Sequence, residues 1–422
     1  MRFQTLPQWL KWQESLHFTE VDPGLERVGR VWQQLGGISK LPFTVVTIAG
    51  TNGKGSSVAM LESILRNAGY RTGTYTSPHL LRYNERICMD GRVCDDTTIC
   101  DAFDRIDQAR NDTSLTYFEF ATLAAVDIFS RHNIDIAILE VGMGGRLDAV
   151  NLFDTDIALI TPISLDHTAW LGTNREAIGA EKAGVIRQGK PVVCSENSPP
   201  QSLINHSVSL ESPTYLAGRD FNTLINNDHW HWSNTYIQLK NLPFPALMGA
   251  YQLQNAAAVL QVISLLNQQD YAISEHAIRQ GLTTVQLAGR FQQIDGDITT
   301  ILDVTHNQQG AENLAKLLVE MPSQGQTFAV LSMLKDKDVT TVASILEPVI
   351  DIWYIAGLEG SRGMTSETLA VQLATIIDKN KIRPFPTVIE AYDQAIMAAK
   401  KGDRVLVFGS FHTVEAVLNT RR

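Results

Sequence analysis

The sequence has few cysteines, no excess of positive charge and no long apolar segment. Its four cysteines form neither a C-x-x-C pair nor a cysteine–histidine zinc pattern, which favours reduced thiols. A net charge of −10 argues against nonspecific nucleic-acid binding, which needs a basic surface. No segment reaches the roughly 20 apolar residues of a membrane span, and the charge-interrupted N-terminus does not resemble a signal peptide. We therefore expect a soluble, cytoplasmic protein without a nucleic-acid or membrane partner.

A chain of 422 residues is too long for one ordinary hydrophobic core and predicts two or three domains. Up to about Cys194, strand-like and helix-like segments alternate, which is typical of a doubly wound α/β domain with a mostly parallel sheet. Short alternating segments between Ser198 and Phe244 predict a small antiparallel sheet beside it. A second α/β series follows. We predict domains at residues 1–288 and 298–422, joined by a linker at 289–297.

Apolar runs and helical spacing give the element boundaries. The predicted strands are 44–49, 134–141, 157–163 and 191–194 in the first series, and 299–304, 327–332, 351–356 and 404–408 in the second. The predicted helices are 57–68, 118–132, 175–187 and 251–266, then 311–321, 339–349, 366–377 and 388–400.

The most informative segment is TVVTIAGTNGKGSS, at residues 44–57. A β-branched run, typical of a strand buried on both faces, ends in a glycine-rich turn before a helix. The glycines allow backbone N–H groups to approach phosphate oxygens, and Lys54 can reach the terminal phosphates. The spacing departs from G-x-x-x-x-G-K-[ST], because position 48 is Ile and Gly55 separates Lys54 from the serines. The segment therefore predicts a site for a nucleotide triphosphate.

Polar groups follow other predicted strands, at the edge where open α/β sheets bind ligands. Glu140 ends one strand, and its carboxylate suits Mg²⁺, although a solvated acid at a strand end is an equal alternative. Thr76-Ser-Pro-His-Leu and Ser164-Leu-Asp-His-Thr follow two more strands. A single histidine there is more often a structural hydrogen-bonder, but convergence on one phosphate turn favours a metal site. Gly142, Gly144 and Gly145 fit a dinucleotide fingerprint poorly because the third glycine is misplaced.

Taken in order, these segments resemble the folylpolyglutamate synthase and dihydrofolate synthase family, within the Mur-ligase superfamily of ATP-dependent amide-bond ligases. The resemblance covers nearly the whole chain. It rests on Gly50-Thr-Asn-Gly-Lys-Gly-Ser, Thr76-Ser-Pro-His-Leu, Glu140-Val-Gly-Met-Gly-Gly-Arg-Leu-Asp, Leu165-Asp-His-Thr, Glu181-Lys-Ala-Gly, Gly289-Arg-Phe, Asp303-Val-Thr-His-Asn, Lys335-Asp-Lys-Asp and Gly409-Ser-Phe-His. It implies an N-terminal P-loop ATPase domain and a smaller Rossmann-like C-terminal domain, with the active site between them.

The resemblance also implies the roles of individual residues. It places ATP on Thr51, Asn52, Gly53, Lys54, Gly55, Ser56, Asn255, Arg290 and Asp303, and the metal on Ser77, Glu140, His167 and Lys182. Two Mg²⁺ ions are implied, with a monovalent cation as a further candidate. Lys182 is expected to be carboxylated by CO₂, although a surface lysine is the default for its helical segment. The catalytic residues are expected to be Lys54, Lys182, His167 and His306, and His306 has either a base role or a carboxylate-binding role.

Bacterial bifunctional members of the family also resemble this chain at segments of a pterin site. The implied pterin-binding residues are Asp22, Pro23, Gly24, Leu25, Thr116, Tyr117, Phe118, Glu119, Leu147, Asp148 and Ala149. Tyr117 and Phe118 can stack on a flat pterin, although aromatic residues before an apolar helix usually belong to the core. We expect a monomer that uses ATP and L-glutamate, with dihydropteroate and folates such as tetrahydrofolate as acceptors.

Three other classes share part of this pattern. A Mur-type cell-wall ligase would normally need a further N-terminal domain, and only about 40 residues precede the first core strand here. A P-loop kinase or switch NTPase leaves the second domain and Lys182 without a role. A noncatalytic nucleotide-binding protein predicts no turnover. A monofunctional folylpolyglutamate synthase remains the nearest alternative.

Overall fold

The computed structural model describes residues 1–38 and 40–420. The first part of the chain contains α1 (Leu6–Gln13), α2 (Glu26–Gln34), β1 (Thr44–Ala49), α3 (Lys54–Asn67), β2 (Thr72–Tyr75), β3 (Ile87–Met89), β4 (Arg92–Val93), α4 (Asp96–Arg110), α5 (Tyr117–Arg131), β5 (Ile136–Glu140), β6 (Ile157–Ile160), α6 (Thr168–Leu171), α7 (Arg175–Ala183), β7 (Val192–Cys194), α8 (Gln201–Ser209) and β8 (Thr214–Leu216).

The rest of the chain contains β9 (Phe221–Ile225), β10 (Trp230–Asn234), β11 (Gln238–Leu242), α9 (Ala250–Asn267), α10 (Glu275–Thr284), β12 (Gln292–Ile294), β13 (Thr299–Leu302), α11 (Gln308–Glu320), β14 (Thr327–Leu331), α12 (Val339–Leu346), β15 (Ile352–Ala356), α13 (Ser366–Leu373), β16 (Ile382–Phe385), α14 (Val388–Ala398), β17 (Arg404–Phe408) and α15 (Phe411–Asn419). Short 3₁₀ turns lie at Tyr83–Arg86, Ala149–Leu152, Glu347–Val349 and Lys379–Lys381.

The first sheet has eight strands in the order β4-β3-β2-β5-β1-β6-β7-β8. Strands β2, β5, β1, β6, β7 and β8 run parallel, and β3 and β4 pair antiparallel at one edge. The predicted doubly wound, mostly parallel sheet is confirmed. Because β1 lies between β5 and β6, the segments that follow these three strands meet at one edge of the sheet. This topology positions the candidate site.

The uninterrupted apolar sequence of β1 has a direct structural reason. Val45 and Ala49 face a core shared with α1, α2, α4 and α5, whereas Val46 and Ile48 face a core shared with α3, α9 and α10. Burial on both faces removes the need for polar residues in alternation. The strand therefore holds the glycine-rich turn on a rigid base.

The predicted small antiparallel sheet is also confirmed, with strand order β11-β10-β9. Trp230 and Trp232 are buried on one face of β10. The indole N–H of Trp232 donates a 3.0 Å hydrogen bond to the carbonyl oxygen of Ala257 in α9. The sheet is thereby fastened to the helix that covers the main sheet.

The second large sheet has six strands in the order β12-β13-β17-β14-β15-β16. All pairs are parallel except β12 with β13. This confirms a C-terminal α/β domain. Strand β12 lies within residues 289–297, so part of the predicted linker forms an edge strand of this sheet. None of the helices in the described ranges is long and apolar enough to cross a membrane.

Candidate active site

A cavity lies where the C-terminal end of the first sheet meets the second α/β unit. Its lining comes from both units and includes Gly50, Thr51, Asn52, Gly53, Lys54, Gly55, Ser56, Ser77, Glu140, Gly142, Met143, Asp166, His167, Lys182, Tyr251, Arg290, Asp303, His306 and Phe411. The structure thus brings together the residues predicted to bind the triphosphate, the residues predicted to bind metal, and three predicted residues of the C-terminal unit.

The glycine-rich turn has the geometry of an anion site. Gly53 has a φ of +89°, and a Cβ at this position would lie 2.5 Å from Oδ1 of Asn255. Only glycine fits there without displacing that side chain. Helix α3 begins at the next residue, Lys54, so its first backbone N–H groups have no partner within the helix. These groups, together with the helix dipole, can bind phosphate oxygens.

Two residues of the turn, Thr51 and Asn52, have their N–H groups engaged elsewhere. The backbone N–H groups of Thr51 and Asn52 donate to the carbonyl oxygen of Pro162, at 2.8 and 3.3 Å. The hydroxyl of Thr51 donates to the carbonyl oxygen of Ser164 and accepts from its N–H group, both at 3.1 Å. Both residues line the cavity, but their N–H groups hold the turn against the loop after β6.

Two lysines, the buried Lys182 and the half-buried Lys54, approach the carbonyl oxygen of Gly50 in the turn. Lys54 Nζ lies 3.1 Å from the carbonyl oxygen of Gly50 and 3.2 Å from that of Thr51. Lys182 Nζ, which comes from α7, lies 2.8 Å from the same Gly50 oxygen. Burial, reinforced by the positive charge of Lys54, lowers the pKa of Lys182 to about 7. Burial also lowers the pKa of Lys54. Lys182 is therefore no surface lysine.

Oxygen and nitrogen donors lie beside these lysines. The backbone N–H of Ser77 donates to Glu140 Oε2 at 3.2 Å, and burial raises the pKa of Glu140. Burial lowers the pKa of His167 to about 4, which keeps its imidazole neutral and able to bind a metal. In the described part of the chain, no three His, Cys, Asp or Glu side chains form a ready metal site. The carboxylate of Glu140 and the hydroxyl of Ser77 are hard oxygen donors, which suit a divalent cation that also binds phosphate.

Residues of the C-terminal unit close the other side of the cavity. The guanidinium of Arg290 lies 5.2 Å from the ring centre of Phe411. Asp303 is buried and accepts from the N–H groups of Phe291 and Thr305, both at 2.8 Å. His306 Nδ1 lies 2.8 Å from the carbonyl oxygen of Val304. Asp303 thus stabilises the loop after β13 and joins it to the segment that contains Phe291, while it also lines the cavity.

Asn255 takes a different position from the other predicted ATP-binding residues. Its side chain is buried behind Gly53 and receives no hydrogen bond at Oδ1. Its Nδ2 donates to Gln252 Oε1 at 3.1 Å. The structure therefore places Asn255 beneath the turn and outside the lining of the cavity.

Arg27 joins two of the predicted pterin segments. Its guanidinium contacts Asp22 Oδ2 at 2.5 Å and Glu119 Oε1 at 2.8 Å. His17 Nε2 lies 3.1 Å from the same Asp22 oxygen. Glu119 also accepts from the N–H of Thr116 at 2.7 Å, as the capping box of α5. Both carboxylate oxygens of Glu119 thus have partners inside the protein.

The aromatic residues of the second segment pack near the glycine loop after β5. A Cβ on Gly142 would lie 2.7 Å from the ring of Phe118, so the absence of a side chain lets this ring approach the loop. Tyr117 makes an edge contact with Tyr83, with ring centres 5.7 Å apart. Asp148 accepts from the N–H groups of Met143 and Val150, and burial raises its pKa to about 6.

The other predicted pterin residues lie on the same flank of the first domain. Pro23, Gly24 and Leu25 precede α2, and Leu147 and Ala149 flank Asp148. The sequence analysis missed Arg27, although it lies two positions after the predicted pterin residue Leu25. It also missed Asp166 and Tyr251 as cavity residues. The signal for Asp166 was its place beside His167 at a strand end; nothing in the sequence spacing indicates that Tyr251 lines the cavity.

Comparison with known proteins extends over almost the whole chain. The Mur ligase middle domain model matches residues 48–263, and the model of the Mur ligase glutamate ligase domain matches residues 289–411. Dihydrofolate synthase/folylpolyglutamate synthase of Escherichia coli (strain K12) is 42% identical over 413 residues, which cover 98% of this chain and 94% of the relative. The protein of that name from Bacillus subtilis (strain 168) is 30% identical and covers 94% of each chain.

Solved structures agree with these matches. E. coli FolC in complex with DHPP and ADP superposes with a TM-score of 0.93 at 41% identity, covering 99% of this chain and 98% of the other. A bifunctional folylpolyglutamate synthase/dihydrofolate synthase from Yersinia pestis, complexed with AMPPNP and Mn ion, gives a TM-score of 0.91 at 42% identity, with coverage of 99% and 98%. A structure of the same description with Mn, AMPPNP and L-glutamate bound gives the same TM-score and identity, again with coverage of 99% and 98%.

Proposed function

This chain belongs to the dihydrofolate synthase/folylpolyglutamate synthase family of Mur ligases, and from that premise we propose that it is bifunctional. It joins L-glutamate to dihydropteroate, giving dihydrofolate, and extends folates such as tetrahydrofolate with further glutamates, in each case with consumption of ATP. The observation that carries the proposal is the cavity between the two units, in which the phosphate turn faces residues of the glutamate ligase domain.

The chemistry of the bond explains the need for ATP. A carboxylate is a poor electrophile, so the γ-phosphoryl group of ATP is first transferred to it, and ADP leaves. The neutral amine of L-glutamate then attacks the carbonyl carbon of the acyl phosphate, inorganic phosphate leaves, and the nitrogen loses one proton as the amide bond forms. Lys54 and the N–H groups at the start of α3 stabilise the charge on the transferred phosphoryl group. Closure of the cavity from both sides keeps water from the acyl phosphate.

We assign the divalent cation to the donors Ser77, Glu140 and His167. Mg²⁺ is the proposed ion in solution, with two sites as the resemblance implies, and it would supply charge neutralisation at the phosphates. The buried carboxylate of Glu140 and the neutral ring of His167 fit such an ion. A monovalent cation remains a further proposed cofactor.

Lys182 is proposed to carry a carbamate. The ammonium group first loses a proton; the neutral amine then adds to the carbon of CO₂, an N–C bond forms and a second proton is released, which leaves a carbamate anion that can act as a metal ligand. The low pKa of Lys182 supports this, because it leaves much of the amine uncharged near neutral pH. For His306 we propose either a base role or the binding of the glutamate carboxylate; its ring nitrogens lie near the carbonyl oxygen of Val304 and the carboxylate of Asp166.

The acceptor site is proposed for the flank formed by Asp22, Tyr117, Phe118 and Asp148. Flat aromatic rings and a carboxylate suit the faces and the hydrogen-bonding edge of a pterin. Because both carboxylate oxygens of Glu119 already have partners, we propose that Glu119 shapes the site by holding Arg27 in place. The protein is further proposed to act as a cytoplasmic monomer.

The test supplies purified protein with Mg-ATP and L-glutamate, with dihydropteroate in one reaction and tetrahydrofolate in another. ADP release and product mass are followed together. Gain of one glutamyl unit on both acceptors is the expected result. Gain on tetrahydrofolate alone would identify a monofunctional folylpolyglutamate synthase, and gain on dihydropteroate alone a dihydrofolate synthase. Absence of both products would reject the folate assignment and turn the search to other acid acceptors.

A further inference from the structure

Asp166 lies in the loop after β6, where the first domain faces the second α/β unit. Its carboxylate is 2.5 Å from Lys337 Nζ, 3.4 Å from Asn307 Nδ2 and 3.5 Å from His306 Nε2. The Asp166 side chain is 10% exposed and that of Lys337 is 8% exposed. One buried carboxylate of the ATPase domain thus receives groups from two separate loops of the glutamate ligase domain.

A second contact runs beside it and starts from the phosphate turn itself. Asn52 Nδ2 donates to Asn307 Oδ1 at 3.2 Å and to Gln309 Oε1 at 2.7 Å. In return, Asn307 Nδ2 donates to Asn52 Oδ1 at 3.0 Å. Asn307 therefore links the turn that faces the triphosphate with the carboxylate of Asp166.

The ion pair between Asp166 and Lys337 can form only when the two domains lie against each other. Within the described ranges, the Nζ of Lys337 has no partner other than Asp166. The free-energy cost of removing the two charges from water is offset only while Asp166 and Lys337 are paired. If the domains separated, each charge would lose its ionic partner. Such a pair contributes more to the choice of one arrangement than to overall stability.

We propose that Asp166 and Lys337 are positioning residues, and that their ion pair holds the glutamate ligase domain over the phosphate turn in the arrangement needed for catalysis. Neither residue needs to touch a reacting atom. The ion pair acts through Asn307, which contacts both Asp166 and Asn52 of the phosphate turn. The kinetic part of the proposal rests on the proposed function, whereas the structural part does not.

The test compares Asp166→Asn, Lys337→Met and the double variant with the parent protein. Small-angle X-ray scattering, in the absence of ligands, is expected to show a larger radius of gyration in all three variants. Turnover is expected to fall about tenfold in each single variant and no further in the double variant, because the two side chains act as a unit. Thermal unfolding identifies a variant that fails to fold; Lys337→Gln then replaces Lys337→Met, and Asp166→Ser replaces Asp166→Asn.

Lys335→Met is the matched control, because Lys335 lies on the same loop but its Nζ, among the residues that the structure describes, donates to the carbonyl oxygen of Ser361 in its own domain. It should leave the scattering profile unchanged. An unchanged scattering profile in folded Lys337→Met, or losses of turnover that multiply in the double variant, would overturn the proposal. Because scattering needs no substrate, an error in the proposed function would leave this part of the result intact.

Discussion

Lys182 and Gly50 are joined by a 2.8 Å hydrogen bond between an amine and a backbone carbonyl, across 132 positions of sequence. The bond fixes the amine of α7 against the first residue of the phosphate turn. Any group formed on Lys182 would therefore lie beside the turn, in the cavity that Glu140 and Ser77 also line. This relationship makes Lys182 the most informative residue to change.

Replacement of Lys182 by alanine is expected to lower turnover by about a hundredfold, since an oriented charged group would be lost from the site. A small carboxylate such as acetate should restore part of the activity by occupying the position of the carbamate. Lys190→Ala serves as the control, because Lys190 is an exposed lysine paired with Asp156. Full activity of Lys182→Ala without acetate would contradict carbamate chemistry.

The same lysine predicts a pH dependence of stability in CO₂-free buffer. The pKa of Lys182 is about 7 in the fold and ordinarily 10.5, so the unfolded chain binds more protons between these values. The free energy of unfolding should therefore rise with pH across this window, by about 1.4 kcal/mol per pH unit from this residue. Urea unfolding at several pH values should show that Lys182→Met loses this part of the slope. An identical slope in the variant would refute the assignment.

Lys54→Ala is expected to reduce kcat/KM for ATP by roughly a hundredfold or more, because the transferred phosphoryl group would lose a positively charged amine at the turn. Steady-state ADP release measures the effect. Because the Lys54 side chain is half-buried and donates to two backbone carbonyls, folding of the variant is checked by circular dichroism. Preserved turnover would mean that the turn does not position the triphosphate.

Glu140→Gln should weaken Mn²⁺ binding in the presence of AMPPNP by about tenfold or more, because a hard carboxylate ligand becomes a neutral amide. Electron paramagnetic resonance of free Mn²⁺ gives the affinity directly. Glu320→Gln, an exposed change at the end of α11, is the matched control. Equal affinities in the two variants would exclude Glu140 from the metal site.

Arg27→Met should raise KM for dihydropteroate about tenfold while KM for ATP stays constant. The reason is that Arg27 pairs with both Asp22 and Glu119, so its loss leaves two carboxylates without their shared cation. Arg30→Met, an exposed change in the same helix, provides the control. A parallel rise of both KM values would point to general loosening of the domain, and no rise would remove the acceptor from this flank.

Much of the fold can be predicted from apolar patterning, and the exceptions have physical causes. Strand 44–49 was predicted with the bounds of β1, because burial on both faces leaves an uninterrupted β-branched run. Strand β16 was missed because it contains Pro384, which normally argues against a strand. The proline is tolerated because β16 is the edge of its sheet.

The site was only partly predictable for a different reason. Residues with unusual chemistry at strand ends, such as Glu140 and His167, are visible in the sequence. Pairs such as Asp166 with Lys337 are set by tertiary packing, and no spacing rule connects positions so far apart. Glu119 shows the opposite case: Thr116-x-x-Glu119 is a capping-box pattern, so its local structural role could have been predicted.

The cavity is lined from both sides, by the phosphate turn and by residues such as Arg290 and His306. A nucleotide bound in this cavity would be in contact with both units of the protein. ADP must leave the cavity before the next ATP can enter. An arrangement that keeps water from the acyl phosphate would therefore also slow the release of ADP. If ADP can leave only when the two units separate, we expect the rate of that separation to set an upper limit on turnover, however fast the amide bond forms.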